Sequence, residues 1–427
     1  MLYRPDQPYW WPKSCLKRQL VILFMLFSQP TLAANTYTLD QLLTLAIQEN
    51  PSMRVVSAQR EAAVAGVQTA RSYFNPEVEF NAGPANYRAS GPQPRQGTYN
   101  VTLSQPLEFG SVRAARRELA ENGIAVADKS IASVRFDLSN QVKVSYMLVL
   151  QKQQVAALMK DNLDLLRQIQ SKVKLRVETG EAPKYELIKA DTELLAAERD
   201  YQMATTDVDA AKASLRGLIG TSVPPDFQLV STPPETQAPP VLGELLAMLQ
   251  ENPTLQQLKA IEQNADNKVK LEQQLRFAGV TLKSGFEQDP DLNIFRVGIV
   301  VPLPIWNQRE GQIAEAMANV IQAKANTDFQ HLSLQRELET AYQRYLIAKN
   351  QLSIFESGLL SQSEAALVRA ESAYKFGERG ILEYLDAQRT YRAVRRDYVA
   401  SKFDYVISLL QIEKLVGKDI ILPIHKG

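Results

Sequence analysis

The sequence has almost no cysteine or histidine, the residues that form disulfides and most zinc sites. Cys15 is its only cysteine, so the chain can form no internal disulfide and its stability must come from packing. Its two histidines, His331 and His425, are far apart, whereas a zinc site needs three or four ligands at defined spacing. The formal net charge is +1, and no basic run is interleaved with aromatic residues. We therefore expect no metal site and no nucleic-acid partner.

Motifs of catalysis are absent as well. The sequence has no glycine-rich phosphate loop, no nucleophile with an accompanying base and no metal-binding motif. We predict that the protein is not an enzyme and needs no cofactor.

The N-terminus has the order of residues that is typical of a secretory signal. Lys13, Lys17 and Arg18 precede an apolar run from Leu20 to Phe27, and small residues follow at Ala33 and Ala34. We predict a signal peptide over residues 1–33, cleaved between Ala33 and Ala34. A membrane anchor is the alternative, but spanning a bilayer takes about 20 apolar residues. Cys15 precedes the apolar run, so it cannot be lipidated at the cleavage site.

One long stretch between Pro106 and Pro183 contains no proline and has apolar residues at helical spacing. It predicts a single helix from Ser111 to Glu178, roughly 100 Å long at about 1.5 Å per residue. Ordinary globular helices run about 10–14 residues. A helix of this length favours a coiled coil or a barrel of packed helices.

The chain also repeats itself. Glu49-Asn50-Pro51 recurs as Glu251-Asn252-Pro253, and Pro106-Leu107 recurs as Pro302-Leu303. Gly180-Glu181 recurs as Gly377-Glu378, so three motifs return in one order at a spacing of roughly 200 residues. We predict an internal duplication: a first repeat over 34–220, a proline-rich linker over 221–240, a second repeat over 241–417 and a tail over 418–427.

The sequence of each repeat predicts the same order of elements: two helices, two strands, a long helix and a final helix. The first-half helices are predicted over Leu39 to Gln48, Pro51 to Tyr73, Ser111 to Glu178 and Tyr185 to Arg216. The second-half helices are predicted from Pro253 to about Arg276, from about Asn307 to Phe376 with no proline, and, after a turn at Gly377 to Gly380, to about Val416.

Four segments alternate apolar and polar residues, at about 77–83, 98–104, 279–287 and 293–301. This pattern is typical of a strand with lipid on one face and water on the other, and equally of a half-buried soluble strand. Four strands cannot close, since the smallest spanning barrels have about 8. We predict a mainly α fold with a transmembrane β-barrel of 12 strands pooled by a trimer, above a barrel of long helical hairpins. Tyr87, Tyr99 and Phe295 fit an aromatic girdle or plain strand packing.

The stretch from Tyr374 to Ala387 has a glycine turn followed by an acidic pair, and it resembles the periplasmic tip of the TolC-like outer membrane factors. With the duplicated plan, the resemblance covers about Thr38 to Gly417. The Asn-Pro motif and Gln105 to Gly110, read as the opening of the long helix, are similar to the CzcC-like cation efflux branch. The resemblance implies a homotrimeric duct in the outer membrane of a Gram-negative bacterium. It also implies two partners, a periplasmic adaptor and an inner-membrane pump of the RND type. Many relatives carry a lipidated N-terminal cysteine, which this chain lacks.

The acidic pair is Glu383 and Asp386, which share one helix face because they are three residues apart. In a trimer they would form a ring that attracts cations, as in the family's periplasmic gate; a solvated helix face is the alternative. In the first repeat Glu186 matches Glu383, but Lys189 replaces the second acid.

The two turns supply the other candidate residues. Thr179, Gly180, Gly377 and Gly380 are expected to provide positive φ angles at helix ends. By resemblance, the tips also dock the adaptor. These docking residues are Thr179, Gly180, Glu181, Gly377, Glu378 and Gly380.

The sequence thus predicts the outer-membrane duct of a tripartite efflux system for heavy-metal cations or small toxic compounds. Two alternatives stay open: a duct for type I protein secretion, and a soluble periplasmic coiled-coil scaffold whose strands pack on protein.

Overall fold

The same order of helices and strands occurs in both halves of the chain. The computed structural model describes residues 36–85, 96–230 and 236–421. The first half comprises β1 (Thr36–Tyr37), α1 (Leu39–Glu49), α2 (Pro51–Arg71), β2 (Glu77–Ala85), β3 (Gln96–Glu108), α3 (Gly110–Glu178) and α4 (Lys184–Ile219). The second half comprises β4 (Gln228–Leu229), α5 (Leu242–Met248), α6 (Pro253–Gln274), β5 (Gly279–Asp289), β6 (Leu292–Val300), α7 (Glu310–Ile354), α8 (Leu360–Lys375) and α9 (Ile381–Val416).

The long helix α3 dominates the first half. It runs for 69 residues without a break, so the predicted helix from Ser111 to Glu178 is confirmed. It turns at residues 179–183 into α4, which packs back along it. Among the described residues, no helix combines the length and the apolar character that crossing a membrane requires.

The second long helix differs from its prediction. It begins at Glu310 rather than Asn307, and a π-helical turn at Phe355–Leu359 divides it into α7 and α8. The prediction of a single long helix from about Asn307 to Phe376 is therefore wrong at this turn. Gly358 has φ 162° and ψ −25°, well outside the helical region. A glycine in a helix costs about 1 kcal/mol relative to alanine, which makes this position the natural place for the break.

The four predicted strands form one antiparallel sheet in the order β2-β3-β5-β6. The central β3–β5 pair joins the two halves of the chain. β3 continues through Pro106 to Glu108, where the sequence predicted the opening of the long helix. The reason is long-range: Gln105 to Glu108 pair with the first residues of β5, and local sequence does not reveal that partner.

The main core lies where α1, α3, α4, α7 and α9 meet. The proline-rich stretch between the halves takes part in it. Phe227 and Leu229 are buried, β4 pairs in parallel with β1, and the Tyr146 hydroxyl donates to the Val230 carbonyl at 3.0 Å. Residues 223–230 are thus packed on the core, whereas the boundaries of the two repeats stay a prediction.

The recurring Glu-Asn-Pro motif caps two helices at once in each half. The Asn50 Oδ1 accepts from the Ser52 amide at 2.8 Å, while its Nδ2 donates to the Leu218 carbonyl at 2.7 Å. Asn252 makes the equivalent bonds to Thr254 and Leu415, each at 2.9 Å. One side chain therefore starts a helix and satisfies the carbonyl end of another.

A glycine follows each capped carbonyl end. Gly417 has φ +81°, and a Cβ there would lie 2.3 Å from Pro253 Cδ. In the first half the corresponding Gly220 has φ +124°, and a Cβ there would lie 3.0 Å from the Glu49 Cβ, so the later glycine lies against the Glu-Asn-Pro motif in both halves.

Candidate functional site

The two helical hairpins end in turns with the same hydrogen bonds. At the first tip, the Glu181 and Ala182 amides donate to the Arg176 carbonyl at 2.8 and 3.1 Å. At the second tip, the Glu378 and Arg379 amides donate to the Ala373 carbonyl at 2.9 and 3.2 Å. These long-reach bonds cap helix C-termini through a glycine in the left-handed region.

The positive φ angles were predicted only in part. Gly180 (φ +79°) and Gly377 (φ +75°) confirm the prediction. The prediction is wrong for Thr179, which has φ −81°, and for Gly380, which has φ −75° and precedes α9 as its N-cap. One left-handed residue is enough to close each turn.

The two tips are held side by side by an apolar cluster. Val173 of α3 and Ala190 of α4 are buried against Ile381, Tyr384 and Leu385 of α9. The rings of Tyr374 and Tyr384 stack with centroids 5.7 Å apart, and the Arg176 guanidinium lies 5.5 Å from the Tyr374 ring centroid. This packing joins the two hairpins near their ends.

Polar contacts also join the two hairpins, farther from the tips than the apolar cluster. The Gln388 amide donates to the Asn162 Oδ1 at 3.1 Å, and both side chains are buried. The Arg389 guanidinium forms a two-point ion pair with Glu193. Each contact joins α9 to a helix of the first hairpin.

Glu383 and Asp386 lie on the exposed face of the first turns of α9. The structure thus brings the predicted acidic pair together on one surface close to the second tip. The Arg379 guanidinium lies 3.1 Å from a Glu383 carboxylate oxygen, a contact that sequence reasoning missed. The i, i+4 spacing of these two residues was the available signal.

Two pKa shifts occur near this acidic pair. Burial raises the pKa of Tyr384 to about 12, and the nearby Glu371 and Tyr374 add to the effect. The hydrogen-bonded Glu193 carboxylate raises the pKa of Arg389, and Asp386 also raises it. The phenol stays neutral and the guanidinium stays charged at any physiological pH.

The sheet has one apolar face. On this face, cross-strand partners on adjacent strands lie side by side: Val78 with Leu103, Phe80 with Val101, and Phe286 with Phe295. Val297 and Ile299 continue that face along β6, and their side chains are exposed. An exposed, contiguous apolar face on a sheet is typical of contact with lipid.

The opposite face of the sheet is polar and charged. One row across all four strands consists of Glu79, Thr102, Gly285 and Arg296. Arg296 forms an ion pair with Glu287, and Lys283 lies in the next row, between Ser104 and Gly298. Sequence reasoning did not single out these residues, although the polar positions of the alternating pattern contain them.

Three residues named in the sequence predictions cannot be placed in the fold. Ala33, Ala34 and Tyr87 lie outside the described residues. Within the ranges that the structure covers, no group of His, Cys, Asp and Glu is arranged to hold a metal ion. The second tip and the polar face of the sheet each present exposed charged side chains.

Comparison with known proteins gives a consistent result. The family model described as "Outer membrane efflux protein" matches residues 42–221 and 246–418 of this chain, well over half of it. The cobalt-zinc-cadmium resistance protein CzcC of Cupriavidus metallidurans is 24% identical over 398 residues, covering 91% of this chain and 92% of CzcC. The nickel-cobalt-cadmium resistance protein NccC of Alcaligenes xylosoxydans xylosoxydans is 25% identical over 311 residues, covering 72% of this chain and 70% of NccC.

Solved structures show the same fold. A crystal structure of CusC superposes with a TM-score of 0.75 at 16% identity, covering 89% of this chain and 92% of that one. The outer-membrane channel OprN gives a TM-score of 0.76 at 17% identity, covering 89% and 90%. At this level of identity the likeness extends to the fold alone.

Proposed function

Because the chain belongs to the outer membrane efflux protein family, we propose that it is the outer-membrane duct of a tripartite system that exports heavy-metal cations. The observation that carries this proposal is the family match across both halves, together with relatives named for resistance to cobalt, zinc, cadmium and nickel. The duct itself does no chemistry. It provides a path from a pump to the exterior.

The membrane part of the duct is a barrel of three pooled sheets. β2 and β6 are the two edges of the sheet, each nine residues long, and among the described residues neither edge has a strand partner outside it. Unpaired backbone groups in lipid cost several kcal/mol each, so an edge has to find a partner. Pairing β6 of one chain with β2 of the next closes a 12-strand ring of three chains. The apolar face of the sheet then contacts lipid, and the polar row of Glu79 and Arg296 lines the pore.

The helical part of the duct extends this pore below the membrane. The hairpins of three chains form a tube roughly 100 Å long, set by the length of α3. Glu383 and Asp386 of each chain surround its narrow end, where carboxylates attract cations. Arg379 offsets part of the charge of Glu383, and Arg389 interacts with Asp386.

The tips are the surface for a periplasmic adaptor, which links the duct to an inner-membrane pump of the RND type. Thr179, Gly180 and Glu181 at the first tip are exposed, as are Gly377, Glu378 and Gly380 at the second. Phe376 beside them is 82% exposed, and an exposed aromatic residue at a tip is typical of a protein contact. The signal peptide over residues 1–33 delivers the chain for assembly.

Deletion of the gene in its own bacterium tests the cargo. The deletion strain should become sensitive to cobalt, zinc, cadmium or nickel salts, and the full-length gene on a plasmid should restore growth. A version without residues 1–33 should not restore it, because the chain would stay inside the cell. Unchanged metal tolerance combined with loss of a secreted protein would favour the protein-secretion duct. Sensitivity to dyes and antibiotics alone would overturn the metal proposal.

A further inference from the structure

Two amide side chains are buried where α9 packs on α3. Asn162 of α3 is 5% exposed and Gln388 of α9 is 7% exposed, and the Gln388 amide donates to the Asn162 Oδ1 at 3.1 Å. The two remaining amide atoms, Asn162 Nδ2 and Gln388 Oε1, are buried and have no hydrogen-bond partner among the described residues. Burying polar groups without partners costs free energy, whereas burying apolar side chains gains it. This pair, here called the amide layer, is therefore a poor choice if stability is its only role.

The surroundings of the amide layer provide a way to satisfy its remaining atoms. A cleft of about 100 Å³ adjoins the layer, and Asn162 and Gln388 both line it together with Asp161, Tyr391 and Arg392. A buried water needs a polar site of only about 10–15 Å³. The cleft has the volume and the polar groups for a water that accepts from Asn162 Nδ2 and donates to Gln388 Oε1.

Hydrogen bonds between α3 and α9 occur at two levels in the part of the chain that the structure describes. At the upper level, the Lys143 ammonium lies 2.5 Å from a Glu413 carboxylate oxygen, and Asn140 Nδ2 donates to the Leu410 carbonyl at 3.0 Å. The amide layer forms the lower level, roughly 28 Å farther along α3 at about 1.5 Å per residue. It is therefore the directional contact between these two helices that lies nearer the tips.

Below the amide layer the contact between α3 and α9 is apolar. Leu166, Ile169 and Val173 of α3 belong to one cluster with Ile381 and Leu385 of α9. Apolar contacts stabilise a packed pair of helices, but they lack direction, so they tolerate a small slide or rotation. A hydrogen bond between buried side chains has a defined geometry and permits fewer arrangements.

We propose that Asn162 and Gln388 are positioning residues, which fix the slide and rotation of the lower end of α9 on α3 and thereby hold Glu383 and Asp386 in place. Both acids lie on α9 within five residues of Gln388, about 8 Å along the helix axis. A helix is stiff over so short a distance, so the layer and the acids move together. The inference rests on the proposed function, because the acids act as a ring only in the assembled duct.

The next residue of α9 supports this role. The Arg389 guanidinium forms two hydrogen bonds with the Glu193 carboxylate of α4. The same turn of α9 is thus tied to both helices of the first hairpin, through Gln388 to α3 and through Arg389 to α4. Two ties to different helices restrict rotation of α9 more than either tie alone.

Replacing both amides by leucine separates position from stability. In Asn162→Leu with Gln388→Leu, the midpoint of thermal unfolding should be unchanged or higher, because an apolar pair needs no hydrogen bond. The cobalt concentration that blocks single channels in planar bilayers should rise about threefold, and it should vary from channel to channel. The reason is that a core without directional contacts loses its unique arrangement before it loses stability.

Two further variants of the mature full chain serve as controls. Asn162→Gln with Gln388→Asn exchanges the two amides and keeps their combined length, so it should restore uniform block at the wild-type concentration. Leu166→Ala leaves the amide layer intact but opens a cavity in the apolar cluster. It should lower the midpoint of thermal unfolding and leave the block uniform.

The distance between the two tips provides a measurement that does not depend on block. Spin labels on Glu181→Cys and Glu378→Cys report this distance within one chain when labelled chains are co-expressed with an excess of unlabelled chain. Pulsed electron paramagnetic resonance should give one narrow distance for the wild-type layer and for the exchanged amides. The leucine pair should give a broader or shifted distribution.

The outcomes separate the amide layer from the duct. A narrow, unshifted distance in the leucine pair overturns the positioning role, and so does uniform block at the wild-type concentration. Equal broadening in Leu166→Ala would mean that any loss of packing loosens the tips, and the inference is again wrong. If cobalt does not block the wild-type channel, the acidic ring of the proposed duct fails, while the tip distances still decide the role of the amide layer.

Discussion

Asp386 and Glu383 differ in their surroundings although both are exposed on α9. Arg379 lies 3.1 Å from Glu383, whereas no ion pair involving Asp386 occurs in the part of the chain that the structure describes. The spacing of the two acids was predictable from sequence, because residues three apart share a helix face. Residues whose roles depend on another strand or helix were not. Arg296 and Lys283 matter because of what lies beside them in the sheet, and Glu193 matters because Arg389 reaches it from a distant helix.

We predict that Glu383 and Asp386 control how strongly cations block the current through the channel. In planar bilayers, divalent cobalt added at the helical end should block the current of the wild-type protein. Glu383→Ala with Asp386→Ala should raise the blocking concentration roughly tenfold, because a ring of carboxylates no longer concentrates the cation. Asp209→Ala with Glu315→Ala is the matched control, since it removes two exposed acids far along the helices. Equal block in both double variants would show that the acids lie on an ordinary solvated face.

Elements with a strong periodic pattern were predicted well. α3 lies within one residue of its predicted start, and all four strands are present. The errors occur where a distant partner decides the local structure. β3 extends past Pro106 because β5 pairs with it, and the π-helical turn in the second long helix depends on Gly358 in a stretch that otherwise reads as continuous helix.

The two-sided caps formed by Asn50 and Asn252 lead to a prediction about stability. Asn252→Ala should destabilise the fold by about 2 kcal/mol, because it removes an N-cap and leaves the Leu415 carbonyl buried without its donor. The midpoint of thermal unfolding, followed by circular dichroism in detergent, should fall. Asn319→Ala, at an exposed position on α7, should leave that midpoint nearly unchanged. Equal midpoints for the two variants would mean that the two-sided cap contributes little.

The whole molecule was predictable as an architecture but not as an assembly. Repeated motifs and alternating segments indicated two similar halves, each with a long hairpin and a strand pair. The closing of the sheet edges depends on other chains, which one sequence does not contain.

Cross-linking tests that closure. The mature chain has no cysteine of its own, since Cys15 lies in the predicted signal peptide. Phe80→Cys on β2, combined in turn with Phe295→Cys, Val297→Cys or Ile299→Cys on β6, should give covalent trimers under oxidation in at least one pair. Phe80→Cys with Val101→Cys is the control, because these residues face each other within one sheet and should link a single chain to itself. Failure of every β2–β6 pair, with the control linked, would exclude a shared ring.

The two unpaired edges of the sheet, β2 and β6, also affect how the chain behaves before it assembles. A newly exported chain has nine-residue strand edges and an exposed apolar face, which is the surface that drives aggregation. If three chains must meet, productive assembly needs at least two correct encounters, whereas an exposed edge can aggregate after one wrong encounter. Cells that make little of this protein thus face slow maturation, and cells that make too much face precipitation. Overproduction should be toxic in a way that a chaperone of the periplasm relieves.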